Sequence, residues 1–280
     1  MFPPRTILFP VDFSERCTAM APIVQAIAER FGASLILLHA APSVDSAYGV
    51  PMADILGPAQ EQMSRYLADE FARFSTERIV TVGEPANAIA AFARDRMADL
   101  VMMPTHGYGP FRKLLLGSVT AKALDIVHCP VWTSAHTDAA ARRDNMSFRH
   151  VLAAVDLGSQ SPGVVKWAGC FAAHAGAALT VVHALPFAKD PPYMYVDQAY
   201  KHDRLNEARQ QVAHLLSATG FPTAAIKVIA DDVHRAIAAA AQDVNADLLC
   251  IGRSSSHALG RLRATGYRLI RESAAPVVSV

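Results

Sequence analysis

The chain has 280 residues, of which 52% are hydrophobic and 18% charged, with a formal net charge of +1. A near-neutral balance excludes functions that rest on bulk attraction to nucleic acid or an anionic membrane, and the apolar fraction suffices for one large core or two of ordinary size. The four cysteines (Cys17, Cys129, Cys170 and Cys250) form no CxxC pair, so each reads as a small buried hydrophobe in a reducing compartment rather than a zinc ligand or half of a disulfide. The opening MFPPRTILFPVDF has no export pattern, and no run approaches the roughly 18 apolar residues of a membrane span. A soluble cytoplasmic protein is expected.

In chain order, the short apolar run TILFPV is followed by a helical stripe of Met20, Ile23, Ile27 and Phe31. SLILLHA comes next, then a helix carrying Met63, Tyr66, Leu67, Phe71 and Phe74, then the run RIVTV. A helix with Ile89, Phe92 and Ala93 precedes DLVMMP, the loop THGYGPFRKLLL, a helix from about Gly117, and PVWTS. The β-runs are nearly continuous in apolar residues, as expected of parallel strands covered on both faces.

The same order then repeats. ILFPVDFSE resembles VLAAVDLGS, placing Asp12 opposite Asp156, and LILLHA resembles LTVVHA, placing His39 opposite His183. ADLVMMP is matched by ADLLCIG, and CPVW by APVV. Ordered matches at nearly constant spacing mean two copies of one domain. The reading is α/β: two tandem doubly wound domains, each a five-stranded parallel sheet flanked by helices, at 1–136 and 149–280, with a polar linker at 137–148. In such sheets ligands sit beyond the carboxyl ends of the strands, where strand order reverses. Asp12, Ala40, Gly83 and the loop from Pro104 all fall at such ends.

That loop has the composition of an anion cradle. Gly107 allows close backbone approach, and Gly117-Ser118-Val119-Thr120 presents helix-start amides, with the Ser118 and Thr120 hydroxyls as further donors. Arg112 and Lys113 add charge or point to water. The alternative is an ordinary loop and N-cap. The spacing is not that of a Walker loop, and the place of a dinucleotide fingerprint, after the first strand, is filled by PVDFSE.

With PVDFS after the first strand, LLHA ending the second, VGEPANAI, and ADLVMMPTHGYGPFRKLLLGSVTAKAL…CPVW, the whole chain resembles a tandem universal stress protein, each half similar to one domain of that family. The resemblance implies an adenine nucleotide alpha hydrolase-like fold and, in the nucleotide-binding branch, a motif written G-x2-G-x9-G-S/T. Here Gly107, Gly117 and Ser118 match it, and Pro104 replaces the first glycine. Proline has no N–H and fixes φ near −65°. If the glycine supplied an amide or a positive φ, that is lost; if it merely ended the strand, little changes. The resemblance further implies ATP as ligand, with or without Mg²⁺. Pro10, Val11 and Asp12 would lie around the adenosine, Ala40 would meet the adenine edge through its backbone, Met103 would pack on the ring, and Pro104, Gly107 and Gly117 to Thr120 would line the phosphates. Asp12 has a second reading as a cap of the first helix together with Ser14. His39 and His183, at matched strand ends, suggest a shared structural role; His106 reads as loop surface.

The second copy keeps Asp156 and Gly252 but has Ser255 where the second glycine belongs and Arg263-Ala264 in place of Gly117-Ser118. Its loop is two residues shorter, and VGEP has become IADDV, whose Asp231 and Asp232 would repel an anion. Arg253, Arg261 and Arg263 would lend some anion affinity or form a solvated basic surface, the second being the favoured reading. This copy reads as a degenerate partner. The last strands, CPVWTS and APVVSV, are the edges expected to pair within the chain or in a homodimer. The proline- and aromatic-bearing stretches 46–58 and 186–200 read as loops that cover a ligand or a partner. No GxSxG elbow or HExxH cluster is present, so no catalytic residue and no metal ligand is assigned. Three functions remain: an ATP-dependent stress-response regulator, a scaffold that binds partners without nucleotide, and a slow ATP hydrolase.

Overall fold

The computed structural model describes residues 2–41, 52–105, 116–134, 147–186, 198–253 and 261–280. Chain contacts divide it into two compact units that part between Met146 and Ser147. The first unit runs β1 (Thr6–Pro10), α1 (Glu15–Phe31), β2 (Ser34–Ala41), α2 (Met52–Arg65), β3 (Thr76–Val82), α3 (Pro85–Asp95), β4 (Leu100–Pro104), α4 (Ser118–Ile126) and β5 (Val131–Ser134). The second runs β6 (His150–Val155), α5 (Ser161–Ala175), β7 (Ala178–Ala184), α6 (Gln198–Thr219), β8 (Ala225–Ile229), α7 (Val233–Asp243), β9 (Leu248–Ile251), α8 (Arg261–Glu272) and β10 (Val277–Ser279).

Strand order in the first unit is β3-β2-β1-β4-β5, and in the second β10-β9-β6-β7-β8, parallel at every pairing within a unit. Each sheet therefore reverses its winding between its first and fourth strands, β1 and β4 or β6 and β9. The strand interiors are apolar because both faces are covered: Ile7, Leu8 and Phe9 of β1 and Val151, Leu152 and Ala153 of β6 are fully buried. The predicted stripe of α1 is the buried one, Met20, Ile23, Ile27 and Phe31, and Gly32 ends that helix in the left-handed conformation at φ 60°.

The starts of β1 and β6 are pinned alike. One carboxylate oxygen of Asp99 accepts from the amides of Arg5 and Thr6 at 2.9 and 3.1 Å, and one of Asp247 from those of Arg149 and His150 at 2.7 and 3.0 Å.

The expected helix through Phe74 is shorter than its apolar spacing suggested. α2 ends at Arg65, and residues 66–74 form successive turns. Leu67 adopts φ 51°, and the guanidinium of Arg78 donates to the carbonyls of Tyr66 and Leu67 at 3.2 Å each. The helix starts earlier than expected too: Met52 to Pro58, read as loop, belongs to α2. Cys170 departs from the buried-cysteine reading, being half-buried, whereas Cys17, Cys129 and Cys250 are buried.

Candidate functional site

At the end of β1 the chain must turn sharply into α1. Phe13 takes a left-handed φ of 60°, and the Asp12 carboxylate accepts the amide of Ser14 at 3.0 Å and the thiol of Cys17 at 3.1 Å. Ser14 caps the helix, its hydroxyl accepting from the Cys17 amide at 3.3 Å. Asp12 thus braces the turn and the cap together. Burial, reinforced by the neighbouring Asp12 charge, pushes the Cys17 thiol up to about 12, so it serves as a neutral donor to the carboxylate.

The second unit builds the same turn with different atoms. Leu157 has φ 63°, and Asp156 accepts from the Gly158 amide at 2.8 Å and the Ser161 hydroxyl at 2.9 Å. The matched histidines act alike, since Nδ1 of His39 bonds the carbonyl of Val11 at 2.8 Å, and Nδ1 of His183 that of Val155 at 2.8 Å. In the first unit the Phe13 ring lies 4.3 Å from His39 and 5.2 Å, edge on, from Tyr66.

Pro10 ends β1, and the Val11 amide continues toward β2 by donating to the carbonyl of Leu38 at 2.8 Å. Ala40 is the penultimate residue of β2, half-buried, in register with Thr81. Met103 is buried in β4 beside Thr133. Pro104 is the last residue of β4 and is buried, paired in register with Ser134. In a parallel strand successive amides point to opposite neighbours. Val101 and Thr105 donate toward β5, to the carbonyls of Pro130 and Ser134, so the Pro104 nitrogen faces the β1 side, where the β1–β4 register ends at Leu8 and Val101. The proline therefore breaks no strand pairing, and the donor it lacks would have pointed into the switch-point crevice.

The start of α4 is held directly against this strand end. The Gly117 amide donates to the carbonyl of Thr105 at 2.8 Å, and the buried Thr120 hydroxyl donates to that of Pro104 at 3.0 Å. Thr120 thus spends its hydroxyl hydrogen on the loop frame, which leaves Ser118, exposed, and the half-buried Val119 at the open end. Gly117 is the N-cap residue, and among the described residues no side chain caps the helix. By contrast Glu84 caps α3, accepting from the Ala86 and Asn87 amides at 3.3 and 2.9 Å. Glu84 also receives the Lys122 ammonium of α4 at 2.9 Å, and this hydrogen bond holds its carboxyl below the usual carboxylate range. That ion pair escaped the sequence reading; the E of VGEP was its available signal. Gly107, His106, Arg112 and Lys113 lie outside the described residues.

In the second unit Asp232 caps α7, accepting from the His234 and Arg235 amides at 3.1 and 3.4 Å, and Asp231 pairs with Arg235 at 3.0 Å. Their expected repulsion of an anion is therefore offset by local partners. α8 begins at Arg261, ahead of the Arg263-Ala264 position that corresponds to Gly117-Ser118. Ser255 lies outside the described residues. Gly252 is not held to glycine by crowding, since a Cβ there would meet Gln160 and Val164 at ordinary distances of 3.4 and 3.5 Å.

Comparison with known proteins agrees with this architecture. Residues 3–134 and 147–280 each match the model of the universal stress protein family. A universal stress protein of Thermus aquaticus is 32% identical over 131 residues, covering 45% of this chain and 96% of that protein. Another, from Methanocaldococcus jannaschii, is 30% identical over 138 residues, covering 45% and 79%. Among solved structures, a universal stress protein from Archaeoglobus fulgidus DSM 4304 superposes with a TM-score of 0.73 over 98% of this chain and 95% of that one, at 20% identity. No described helix is long and apolar enough to cross a membrane.

Proposed function

Because the chain belongs to the universal stress protein family, we propose that its first unit binds ATP at the β1–β4 crevice and acts as a nucleotide-dependent regulator in stress responses, while the second unit keeps the frame without the site. The observation that carries this reading is the start of α4. It is tied to the end of β4 by Gly117 and Thr120, yet among the described residues it carries no side-chain cap, so its leading amides and the positive end of its dipole suit an external anion. Asp12 is half-buried at the neighbouring strand end, and a carboxylate accepts ribose hydroxyls well. Among the described residues no cluster of His, Cys, Asp and Glu suits a metal ion, so Mg²⁺ would arrive on the phosphates.

Calorimetric titration of nucleotide-stripped protein with Mg²⁺–ATP tests this. One site per chain, abolished by Gly117→Asp, is the expected result, because the new carboxylate occupies the anion's place. Two sites would mean that the second unit binds as well. The missing Pro104 donor favours a second reading, a partner-binding scaffold without nucleotide, and absence of binding at about 1 mM ATP would select it. Phosphate release that disappears in Gly117→Asp would instead identify a slow hydrolase.

A further inference from the structure

The two copies treat one place differently: the space between the turn after the first strand and the second helix. In the first unit it is filled from within. Phe13 packs against Tyr66, and the Tyr66 hydroxyl lies 3.0 Å from that of Thr18 on α1. Burial keeps the phenol protonated by raising its pKa above the ordinary range. The groove that remains beyond Tyr66, about 460 Å³ lined by Pro58, Glu61, Gln62, Arg65 and Tyr66, reaches neither the turn nor α1.

Burial fixes the correspondence between the copies. Met63, Leu67 and Phe71 are buried at intervals of four in the first unit, as are Ala208, Val212 and Leu216 in the second. This register sets Gln211 at the place of Tyr66. The repeat sets Leu157 at Phe13 and Pro162 at Thr18. The aromatic pair and its hydroxyl contact are thus replaced by an aliphatic side chain, an amide and a proline. All three replacements line an open groove of about 570 Å³, a volume in the range of small-molecule sites.

The geometry points to this groove as a binding site for a small uncharged phenolic or similar hydroxylated aromatic molecule, which takes the place that the first unit gives to its own tyrosine. Leu157, Pro162, Leu215 and Ala218 form its apolar wall, suited to a ring face. Glu207, Gln211 and His214 stand along its α6 side; the Glu207 carboxylate already holds Arg204 at 2.6 Å, and Gln211 and His214 offer acceptors and donors to a hydroxyl. Among the described residues that line it there is no lysine or arginine, so it is not built for phosphate. The Ser161 hydroxyl at its floor is already given to Asp156. The site is separate from the crevice proposed for ATP and does not depend on it.

The test titrates the full chain, methyl-labelled at leucine, with 4-methylphenol, which is the tyrosine side chain as a free molecule. Saturable shifts at the Leu157 and Leu215 methyls with a dissociation constant of about 1 mM are expected for a ligand of this size. Filling the groove with its counterpart's side chains, Leu157→Phe with Gln211→Tyr, weakens binding at least about tenfold as read at Leu215. Ala218→Leu, at an exposed position that folding tolerates, does the same independently. Shifts that do not saturate, or saturable binding that neither variant weakens, would overturn the assignment. So would saturable shifts at these methyls produced by inorganic phosphate in place of the phenol.

Discussion

The carboxyl ends of the strands in the two units share a frame and differ in what stands over it. Asp12 and Asp156 both brace a left-handed residue and the start of the following helix, and His39 and His183 both bond the carbonyl just before that aspartate. Beyond the frame they part. The first unit has a helix starting at Ser118 that no described side chain caps, pinned to Pro104 and Thr105. The second has a helix that begins ahead of the matching position. Asp156 makes its turn contacts where the helix start differs, so turn geometry by itself accounts for an aspartate at this place. Asp12 is thus weak evidence for a ligand, and the start of α4 is the stronger.

The largest expected effect would break the claim that the frames are equivalent. Asp99→Ala strands two main-chain amides at the start of β1, and Asp247→Ala strands their counterparts at β6. Each loses charge-assisted bonds, and each unit should be destabilised by about 2–3 kcal/mol, read as a shift in urea midpoint. A unit that ignores the change while its counterpart unfolds early would show that the repeat is geometric but not energetic.

Pro104→Gly sharpens the contrast at the crevice. It returns an N–H on the β1 side of β4, where no strand pairing consumes it. ATP affinity of the first unit should rise about tenfold, the worth of one good bond to a charged acceptor, while backbone freedom lowers stability by about 1 kcal/mol. Unchanged affinity in calorimetry would mean that this position merely ends the strand.

Cys17→Ser makes the first unit resemble the second, where Ser161 donates to Asp156. Stability at neutral pH should change by less than about 1 kcal/mol, since a donor replaces a donor. The pH dependence tells more. The Cys17 thiol is raised from 9.0 to about 12 by burial and by Asp12, so the folded chain holds its proton more tightly than the unfolded one. Its contribution is therefore complete below pH 9.0 and is lost as pH rises toward about 12. Urea midpoints measured from pH about 8 to about 10 should fall less steeply in the serine variant.

Much of this was legible in the residues, for physical reasons. Parallel strands buried on both faces wrote themselves as TILFPV and LTVVHA, and the recurrence of ADL marked Asp99 and Asp247 before their role was visible. Two kinds of feature were not legible. The helix expected through Phe74 stops at Arg65 because a turn at Leu67 and a distant arginine, Arg78, preserve the apolar spacing without the helix. The fate of Thr120 depended on a carbonyl sixteen residues away, which no local pattern reports. Periodicity shows which face is buried; it does not show which hydrogen a hydroxyl has already given away.

The smallest expected effect concerns the link between α3 and α4. In the first unit the Glu84 carboxylate caps α3 and grips Lys122 at 2.9 Å. In the second, Asp232 caps α7, and among the described residues α7 meets α8 through an ion pair of His234 and Glu272 at 2.9 Å instead. Both partners of the Glu84–Lys122 pair keep over two-fifths of their side-chain surface exposed, so solvent screens it. A double-mutant cycle over Glu84→Gln and Lys122→Met should give a coupling of about 0.5 kcal/mol. Because the Glu84 carboxyl is held below its usual range, this coupling is present above the ordinary carboxylate pKa and fades as pH falls through the folded one. If ATP weakens in Lys122→Met by more than this coupling, the pair aims the start of α4 as well as joining two helices. An effect on stability alone would leave the aim of that helix to Gly117 and Thr120.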